Sequence, residues 1–530
     1  MSGRLLLRDA GRALSLATLC YIAVWIGLLD NQSNYPRFNN CLGIILNELL
    51  FASVLVAAMT AVRASRSPAA MALARWVFLA VLLIPLNGLV SGKYGAQLAA
   101  PLAHLGPNGV RVVALAAALV GVLAVVRWQR AVARGAAAVV LVLFPFFLIT
   151  LGQAAWFMTK FADKPAPPPL AARPPGAPRI VWLLFDEMDQ HLAFSARPPS
   201  VVLDELDRLR ATSIYASDAF PPADYTMMSI PALIDGKLVA KAGAAHPAEL
   251  RLTFAGEQRP VGWSTQPNAF GDARAAGADT ALVGFYHPYC RIIGDTLTHC
   301  LWQDIGLMSL GDSMRKQVRR MIRTAPYAGK LPWLESARIK REQRQQERRE
   351  RVESYRRMLA DAKRIANDRS VGLAYIHWPV PHPPGIYDRR ADRLEADKES
   401  SYLDNLRLVD RTLGELRRSM EAAGTWDDTT VLVTSDHWWR ARLWREEGAL
   451  TPEDEPYADV VPVDHHVPFV LKLAGQKSTV AYDHTFNTVL TRELLLAILR
   501  GEVRSPESAV QWLDAHRSLG ESPYVTGKAA

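Results

Sequence analysis

The chain has 530 residues, enough for two or three domains, with 50% hydrophobic residues, 21% charged residues and a formal net charge of +9. This balance excludes wholesale disorder. No block of lysine or arginine with interleaved aromatic residues indicates nucleic-acid binding. The first part of the chain is nearly free of carboxylates and the remainder resembles a soluble protein, so the class of each part is judged separately.

Five apolar runs lie before residue 160 and predict five transmembrane helices. They are Leu14–Leu29, Leu42–Val62, Met71–Val90, Val112–Val126 and Ala136–Met158. Arginines precede the first run and follow the second and fourth, the last group being Arg127, Arg130 and Arg134. The positive-inside rule therefore places the N-terminus in the cytoplasm and everything after the fifth run outside.

Glu48 and Asn47 fall within the second run. A carboxylate inside a membrane is costly and therefore a functional candidate, and the alternative is a position at the membrane surface.

Lys164–Pro178 reads KPAPPPLAARPPGAP, which predicts an extended spacer that holds a domain off the bilayer. The chain is accordingly divided into a membrane domain at 1–160, a linker at 161–178, a soluble domain at 179–515 and a tail at 516–530. Between Glu335 and Arg364 a run of paired opposite charges predicts a solvated helix, with docking on anionic lipid or lipopolysaccharide as the alternative.

Short β-branched runs alternate with helical patterns after the spacer and predict an α/β domain with a mostly parallel sheet. The predicted strands are Ile180–Phe185, Ala281–Phe285, Val371–Ile376, Val431–Thr434 and Val467–Leu473. Ligands of such sheets bind beyond the carboxyl ends of the strands.

Two of the four cysteines lie in the apolar first part of the chain and two in the remainder. Cys20 and Cys41 lie in or beside apolar runs, whereas Cys290 and Cys300 flank a short polar loop. If the soluble part is outside the cytoplasm, Cys290 and Cys300 are expected to form a disulfide; the alternative is a pair of buried thiols.

The stretch Phe220–Leu233 contains the candidate nucleophile, Thr226. Ser229 and Pro231 are spaced for the first turn of a helix, where Ser229 would cap and proline is tolerated. A hydroxyl at that point lies in the positive field of a helix N-terminus, which can hold a phosphate-like group. A purely structural cap is the alternative.

Acidic and histidine residues collect where predicted strands end. They are Asp186-Glu187, His377 and His382, Asp436-His437, and Asp464-His465-His466. Carboxylates with imidazole suit a divalent metal, with zinc favoured over manganese or magnesium by the histidine. Coordination would lower the pKa of the Thr226 hydroxyl and activate it for attack on phosphorus.

The order Asp186, Thr226, Asp436-His437, His466 resembles the alkaline phosphatase superfamily, specifically its membrane-anchored sulfatase-like branch. That branch includes lipid A phosphoethanolamine transferases and lipoteichoic acid synthases. The segment from Thr226 to Pro231 is similar to the Thr-x-x-Ser-x-Pro of the transferases, Thr434–His437 to a Ser-Asp-His metal motif, and His484–Val489 to a segment near the end of sulfatase-like domains.

The resemblance implies a metal bound by Asp186, Thr226, Asp436 and His437, with His382 and His466 near the transferred group and His377 as a third candidate there. Three departures matter. The transferases usually have Glu at the first ligand position, which leaves Glu187 as an alternative to Asp186. Leu233 replaces the arginine of the sulfatase signature that would begin at Ser229, which argues against a formylglycine sulfatase. Trp438 replaces the usual glycine after the Asp-His pair.

The predicted protein is thus a multi-pass protein of the bacterial inner membrane with its catalytic domain in the periplasm. Its predicted activity is transfer of a phospholipid head group, phosphoethanolamine or phosphoglycerol, through a phospho-threonine to an envelope lipid or glycan. A phosphodiesterase or sulfatase of the same fold is one alternative. A membrane-anchored binding protein without catalysis is another.

Overall fold

A computed structural model describes the whole chain except residues 1–2, 30–33, 92–99, 171–173, 175, 305–308, 327–336, 459–464 and 521–530. The chain forms two compact units. The membrane unit comprises Met1–Phe161 and Met308–Lys340, and the soluble unit comprises Ala162–Leu307 and Arg341–Ala530.

The described part of the membrane unit is helical. Its helices are Gly3–Cys20, Ile22–Leu29, Phe38–Ser65, Pro68–Val81, Leu83–Ser91, the 3-10 turn Ala100–Leu105, Gly106–Val142, Phe144–Met158 and Leu310–Arg323. Among the described residues, three helical segments are long and apolar enough to cross a membrane, namely Phe38–Ser65, Pro68–Gly88 and Asn108–Met158. The bent pair Gly3–Cys20 and Ile22–Leu29 makes a fourth if it is one span. The predicted count of five is not confirmed.

The fourth and fifth predicted runs lie in one helical segment, Asn108–Met158. The backbone leaves helical geometry at Trp128 (φ −124°, ψ 31°), between the two predicted runs, so Gly106–Val142 consists of two helices joined at a kink. A second break comes at Leu143, before Pro145, where a proline can begin a new helix but not continue one.

Glu48 is enclosed by the helices of the membrane unit rather than exposed. Its side chain is buried, and Oε1 accepts a hydrogen bond from Trp25 Nε1 at 2.5 Å. The carboxylate is therefore an interior group of the helix bundle, and its depth in the membrane stays a prediction.

The soluble unit is built on an eight-stranded sheet with the strand order β14-β2-β13-β12-β1-β9-β7-β8. The fifteen strands in the described chain are β1 Arg179–Phe185, β2 Ile214–Ala216, β3 Ala219–Phe220, β4 Val239–His246, β5 Glu249–Phe254, β6 Val261–Gly262, β7 Asp279–Phe285, β8 His299–Gln303, β9 Val371–Trp378, β10 Tyr387–Asp388, β11 Arg393–Leu394, β12 Thr429–Ser435, β13 Phe469–Lys472, β14 Val480–Tyr482 and β15 Phe486–Asn487. β1 pairs in parallel with β12 and β9, and β7 with β8 and β9, whereas β13 runs antiparallel.

Helices surround this sheet. They are Asp204–Arg210, Thr226–Asp235, Ala269–Ala275, Tyr289–Ile292, Ala337–Asn367, Tyr402–Ala422, Ala441–Glu447, Glu455–Ala458, Thr491–Leu499 and Pro506–His516, with a π-helical turn at His191–Ser195 and 3-10 turns at Trp263–Thr265, Gly294–Thr296, Thr488–Leu490 and Arg517–Gly520. Every residue of β1, β7, β9 and β12 is buried. Parallel strands covered on both faces must be apolar throughout, which is why the sequence shows continuous hydrophobic runs there.

The predicted mostly parallel α/β domain is thus observed, and all five predicted strands belong to the large sheet. The last is shorter than predicted, since β13 begins only at Phe469. Cys290 and Cys300 form the expected disulfide. The described part of the proline-rich spacer lies against the soluble unit, where Lys164 N donates to Cys290 O at 2.9 Å and Leu170 N donates to the Asp279 carboxylate. It is therefore docked rather than free.

Asp235 ends the Thr226–Asp235 helix as a buried carboxyl. Trp263 Nε1 donates to its Oδ1 at 3.1 Å, and burial raises the pKa of Asp235 to about 8. In the unfolded chain the same group ionises near its ordinary pKa of 3.8. Between these values the folded state holds a proton that the unfolded state has lost. The stabilisation is therefore complete below the unfolded pKa and disappears as the pH rises through the folded pKa.

Asp235→Asn should remove this pH dependence. The free energy of unfolding of the variant, relative to the native sequence, is expected to rise by at least about 1 kcal/mol between pH 5 and pH 8. Thermal unfolding of the full chain in detergent at several pH values measures it. Asp428, an exposed carboxylate with 78% of its side chain accessible, provides the matched control. The free energy of unfolding of Asp428→Asn should change with pH in the same way as that of the native protein. The same pH dependence of unfolding free energy in Asp235→Asn and in the native protein would contradict the prediction.

Candidate active site and metal centre

The candidate site forms because three parallel strands end at the same level. Phe185, the last residue of β1, is aligned with Ser435 of β12 and Trp378 of β9. The residues that follow β1 and β12 are Asp186 and Asp436, so their carboxylates emerge side by side at the carboxyl edge of the sheet.

Four side chains meet at this edge. His437 Nε2 lies 3.4 Å from Asp186 Oδ1 and 3.4 Å from Asp436 Oδ2. Thr226 Oγ1 lies 3.3 Å from His437 Nε2 and 3.5 Å from Asp186 Oδ1. Among the described residues, Asp186, Asp436 and His437 form the one group of three acidic, histidine or cysteine side chains whose ligand atoms could share a metal ion.

Neighbouring groups orient the cluster. His437 Nδ1 lies 2.9 Å from Trp438 O, so the ring donates from Nδ1 and directs the lone pair of Nε2 at the carboxylates. Asp436 Oδ1 accepts from Glu187 N at 3.1 Å and His437 N at 3.0 Å. Asp436 Oδ2 is buried and has no hydrogen bond from the described part of the chain. A buried carboxylate oxygen that faces a histidine lone pair requires a cation or a proton.

The electrostatics agree with this requirement. Burial raises the pKa of Asp186 well above its ordinary value, and the nearby Asp436 carboxylate raises it further. Burial also raises the pKa of Asp436. For His437, burial lowers the pKa well below its ordinary value, which keeps the imidazole neutral as a metal ligand must be. The donor set of two carboxylates, a neutral imidazole and a hydroxyl thus fits a divalent metal.

Thr226 is the first residue of the Thr226–Asp235 helix and only 5% exposed. The predicted cap at Ser229 is wrong, because extended backbone at Tyr225 starts the helix earlier and places Ser229 inside it. Ser229 Oγ donates instead to Ala223 O at 2.9 Å. The hydroxyl at the start of the helix is therefore that of Thr226, and Ser229 stabilises the loop that precedes it.

The segment His484–Val489, which resembled part of a sulfatase-like domain, supports the same loop. β15 pairs in parallel with β3, directly before the loop. Asn487 Nδ2 donates to Pro221 O at 3.2 Å, while Asn487 Oδ1 accepts from Val489 N at 2.9 Å. These contacts fix the chain five residues before Thr226.

Glu187 is adjacent to Asp186 but points elsewhere. Its φ of +70° is a left-handed conformation that is rare for a residue with a long side chain. Glu187 Oε1 accepts from Arg440 N at 2.7 Å, and Oε2 accepts from Trp444 Nε1 at 3.1 Å. The backbone turn therefore sends Asp186 to the cluster and Glu187 to Arg440, whose guanidinium is held beside the carboxylates.

The three predicted substrate-binding histidines have different surroundings. His377, on β9, is buried with Nδ1 2.7 Å from Tyr289 Oη, and no hydrogen bond from the described residues reaches its Nε2. His382 Nδ1 lies 2.9 Å from Pro383 O, and His382 N donates to Asp186 O at 3.1 Å. Burial lowers the pKa of both rings well below the ordinary value.

His466 instead pairs with Asp218 at 2.7 Å and packs on Phe220, and it makes no recorded contact with Thr226 or His437. Asp464 lies outside the described residues.

Two further residues near the site were missed from the sequence. His287 Nε2 lies 3.3 Å from Thr226 O, and burial lowers the pKa of His287 to about 3. Tyr286, directly before it, has a φ of +69°, and burial together with the Asp186 charge raises its pKa. Both follow β7 at its carboxyl end. The signal that located Asp186 and Asp436, a polar residue directly after a buried strand, could have located them too.

Removal of a ligand should remove the metal. The full chain, purified without chelator, is expected to hold one divalent ion in this cluster, and Asp436→Asn or His437→Ala should reduce the bound metal at least tenfold because each deletes a donor atom. Elemental analysis of the purified protein measures it. Asp235→Asn, an equally buried carboxylate outside the cluster, should keep the ion. Retention of the ion by both cluster variants would contradict the assignment.

Comparison with known proteins gives a family match for part of the chain. The sulfatase family model matches residues 334–494, a range that includes His377, His382, Asp436 and His437. No curated protein matches the chain.

Several solved structures are similar. A protein in the alkaline phosphatase superfamily from Vibrio parahaemolyticus aligns at 13% identity and a TM-score of 0.38, covering 63% of this chain and 68% of its own. The phosphonate monoester hydrolase of Agrobacterium radiobacter aligns at 14% identity and a TM-score of 0.35, covering 62% and 78%. The murine ectonucleotide pyrophosphatase/phosphodiesterase 5 aligns at 10% identity and a TM-score of 0.34, covering 61% and 95%.

At these scores the solved structures carry no information about the substrate of this chain. The family match covers the second half of the site, and the Thr226 helix and Asp186 complete it within the same unit. Residues 334–494 are therefore similar to a sulfatase domain, and the other residues of the candidate site lie before them in the soluble unit.

Proposed function

We propose that the chain is a metal-dependent phosphotransferase that takes the head group of a membrane phospholipid onto Thr226 and passes it to an envelope lipid or glycan. The observation that supports this most strongly is the position of the Thr226 hydroxyl, 3.3 Å from His437 Nε2 and 3.5 Å from Asp186 Oδ1. A hydroxyl that only caps a helix needs backbone N–H groups as partners and does not require carboxylate and imidazole atoms beside it. Phosphoethanolamine and phosphoglycerol are the head groups proposed.

Zinc is the proposed metal, with manganese or magnesium as alternatives. Asp186, Asp436, His437 and Thr226 would hold the ion, since their donor atoms lie together at the edge of the sheet. The imidazole nitrogen of His437 among these oxygen donors is the feature that favours zinc over manganese or magnesium.

When bound, the ion would lower the pKa of the Thr226 hydroxyl and offset negative charge on the phosphoryl group. In the first step Thr226 Oγ loses its proton and bonds to phosphorus, the bond between phosphorus and the diacylglycerol oxygen breaks, and that oxygen takes up a proton. In the second step an acceptor hydroxyl attacks phosphorus and loses its proton, and the released Thr226 Oγ takes one up. The N–H groups of Thr226 and Met227 begin the helix and have no intrahelical acceptor, so they are proposed to donate to phosphoryl oxygens.

Arg440 is proposed to bind the phosphoryl oxygens. Its backbone N and Nε are held by Glu187 Oε1, at 2.7 Å and 3.4 Å respectively. Because Glu187 is fixed in turn by Trp444 Nε1, the guanidinium is positioned before substrate arrives.

His382 is proposed to move the proton. Its Nδ1 faces Pro383 O, so the Nε2 lone pair of the neutral ring is the proton acceptor. Burial and then the Arg440 charge lower the pKa of His382. This residue would accept the acceptor hydroxyl's proton as that oxygen attacks phosphorus. His377 and His466 are proposed to contact other parts of the substrates.

The membrane unit supports a lipid donor, since an enzyme that draws its substrate from a bilayer gains from being anchored in it. We place the soluble unit in the periplasm, in agreement with the arginine distribution and with the Cys290–Cys300 disulfide, which persists in oxidising compartments.

Thr226→Ala should abolish release of diacylglycerol from fluorescent phosphatidylethanolamine or phosphatidylglycerol by the detergent-solubilised full chain, because the covalent step has no acceptor atom. Metal content should stay above half the native value, and Thr226→Ser should retain measurable activity. Thr491→Ala, which deletes another buried hydroxyl, is the matched control. Full activity of Thr226→Ala would disprove the nucleophile.

The same assay separates transfer from hydrolysis. A mass adduct on Thr226 of the intact protein, together with head group found on a lipid or glycan acceptor, supports transfer. Free head group released at the same rate with and without acceptor would instead favour a phosphodiesterase, the second function that the sulfatase family match allows.

Arg440→Gln should lower kcat/KM for either lipid by about 100-fold, because a preorganised cation facing the transferred phosphoryl group is lost. Glu187→Gln should lower it less, since Arg440 keeps its charge but loses its orientation. The metal content of both variants should be unchanged. Arg445→Gln, a nearby exposed arginine paired with Glu455, is the control. Loss of metal in Arg440→Gln would mean a structural role instead.

A further inference from the structure

The helix Leu310–Arg323, here termed the basic helix, belongs to the membrane unit although its sequence lies between β8 and β9 of the soluble unit's sheet. The chain thus leaves the soluble unit after one strand, adds a helix to the membrane unit and returns for the next strand. Neither the metal site nor the proposed transfer accounts for this excursion.

The basic helix packs against one end of three segments of the membrane unit. Asn40 and Asn47 lie in the first three turns of Phe38–Ser65, Gly27 lies near the end of Ile22–Leu29, and Asn87 lies near the end of Leu83–Ser91. The pair formed by Asp9 and Arg63 marks the opposite end of the bundle.

Close polar contacts hold the basic helix in place. Gln317 Nε2 donates to Asn40 O at 2.8 Å, and Asn47 Nδ2 donates to Gln317 Oε1 at 3.0 Å. Ser313 Oγ donates to Asn40 Oδ1 at 2.7 Å, and Asn87 Nδ2 donates to Thr324 O at 2.9 Å. Because Ser313 and Gln317 are buried, this face of the helix is an interior surface of the membrane unit.

The apolar residues of the basic helix share that face. Val318 and Met321 pack against the cluster that contains Tyr21, Trp25 and Ile44. At 100° per residue, Ser313, Gln317, Val318 and Met321 fall within one half of the helix circumference. The docking face is thus continuous along the helix.

The opposite half of the circumference carries the positive charge. Arg315, Lys316, Arg319, Arg320 and Arg323 fall within an arc of about 140° at 100° per residue. Arg315, Lys316, Arg320 and Arg323 are exposed, and Arg319 is half-buried. Gly27 provides the space for Arg320, whose guanidinium lies 2.5 Å from where a Cβ on Gly27 would stand.

The described part of the membrane unit has almost no negative charge to balance this arc. Its acidic residues are Asp9, Glu48 and Asp312. Asp9 pairs with Arg63 at the far end, Glu48 is buried beside Trp25, and Asp312 pairs with Arg315 at 2.9 Å. Of these three residues, Asp312 is the one that lies on the basic helix.

From this placement we propose that the basic helix is an interfacial element that binds the head groups of anionic phospholipids. A helix with an apolar face in a membrane bundle and a lysine- and arginine-rich face beside it has the amphipathic form of interfacial helices. Lysine and arginine side chains at a membrane surface attract anionic lipid. This attraction involves no residue of the candidate active site. The proposal does not depend on the proposed transferase activity.

The test uses the detergent-solubilised full chain and dioctanoyl phosphatidylglycerol as the anionic lipid. Dioctanoyl phosphatidylcholine is the lipid control with zero net charge, and inorganic phosphate is the anion without a lipid. Native mass spectrometry counts the bound molecules. The native chain should bind phosphatidylglycerol at least tenfold more tightly than phosphatidylcholine. The triple variant Arg315→Gln/Lys316→Gln/Arg319→Gln should lose that preference.

The triple variant Arg349→Gln/Arg356→Gln/Arg364→Gln removes the same charge from the helix Ala337–Asn367 of the soluble unit and should keep the preference. Lys316→Arg/Arg319→Lys, which conserves charge, should keep it as well and shows that the basic helix tolerates substitution. An unchanged preference in the first triple variant would overturn the proposal. Equal binding of inorganic phosphate and phosphatidylglycerol would also overturn it, because the site would then be specific for anions and not for lipid.

Discussion

The site depends on a repulsion that the fold enforces. The register of β1 with β12 places Asp186 and Asp436 next to each other in a buried position, where little solvent screens their charges. Two such carboxylates are tolerable only if one is protonated or a cation joins them. His437 and Thr226 offer the remaining donor atoms at matching distances, and the Glu187–Arg440 pair adds a positive charge nearby. The sheet therefore creates an unfavourable pair that a metal would make favourable.

Much of this could be predicted from the sequence because the signals are local. Buried parallel strands are apolar throughout, and a polar residue directly after such a strand must lie at the edge where ligands bind. That was enough to select Asp186, Asp436 and His437. Residue type does not distinguish Asp186 from its neighbour Glu187, because the difference depends on a left-handed turn at Glu187 that no composition or periodicity reveals. The cap assigned to Ser229 failed for a related reason, since the backbone at Tyr225, and not residue type, decides where the helix begins.

Other features could not be predicted because they depend on contacts between distant residues. Between the fourth and fifth apolar runs the chain forms a kink at Trp128 and not a loop, and charge alone cannot distinguish the two. The basic helix shows a clear amphipathic pattern, but its pattern does not say which surface it packs on. Contacts with distant residues, among them Asn40 and Asn47 some 270 residues earlier in the chain, identify the membrane unit as its partner. The role of Asn487 in fixing the loop before Thr226 is equally distant in sequence.

The excursion of the chain to the basic helix changes how the soluble unit could be separated from the membrane unit. The backbone passes between the two units at Phe161, again before Met308 and a third time after Lys340. A single proteolytic cut after Phe161 would leave both units joined through the other two crossings. A fragment that simply starts at Ala162 would keep the basic helix without its partners and present Val318, Met321 and the buried Gln317 to solvent, which favours aggregation. A well-behaved soluble fragment would have to omit residues 308–340 and rejoin the chain across the gap.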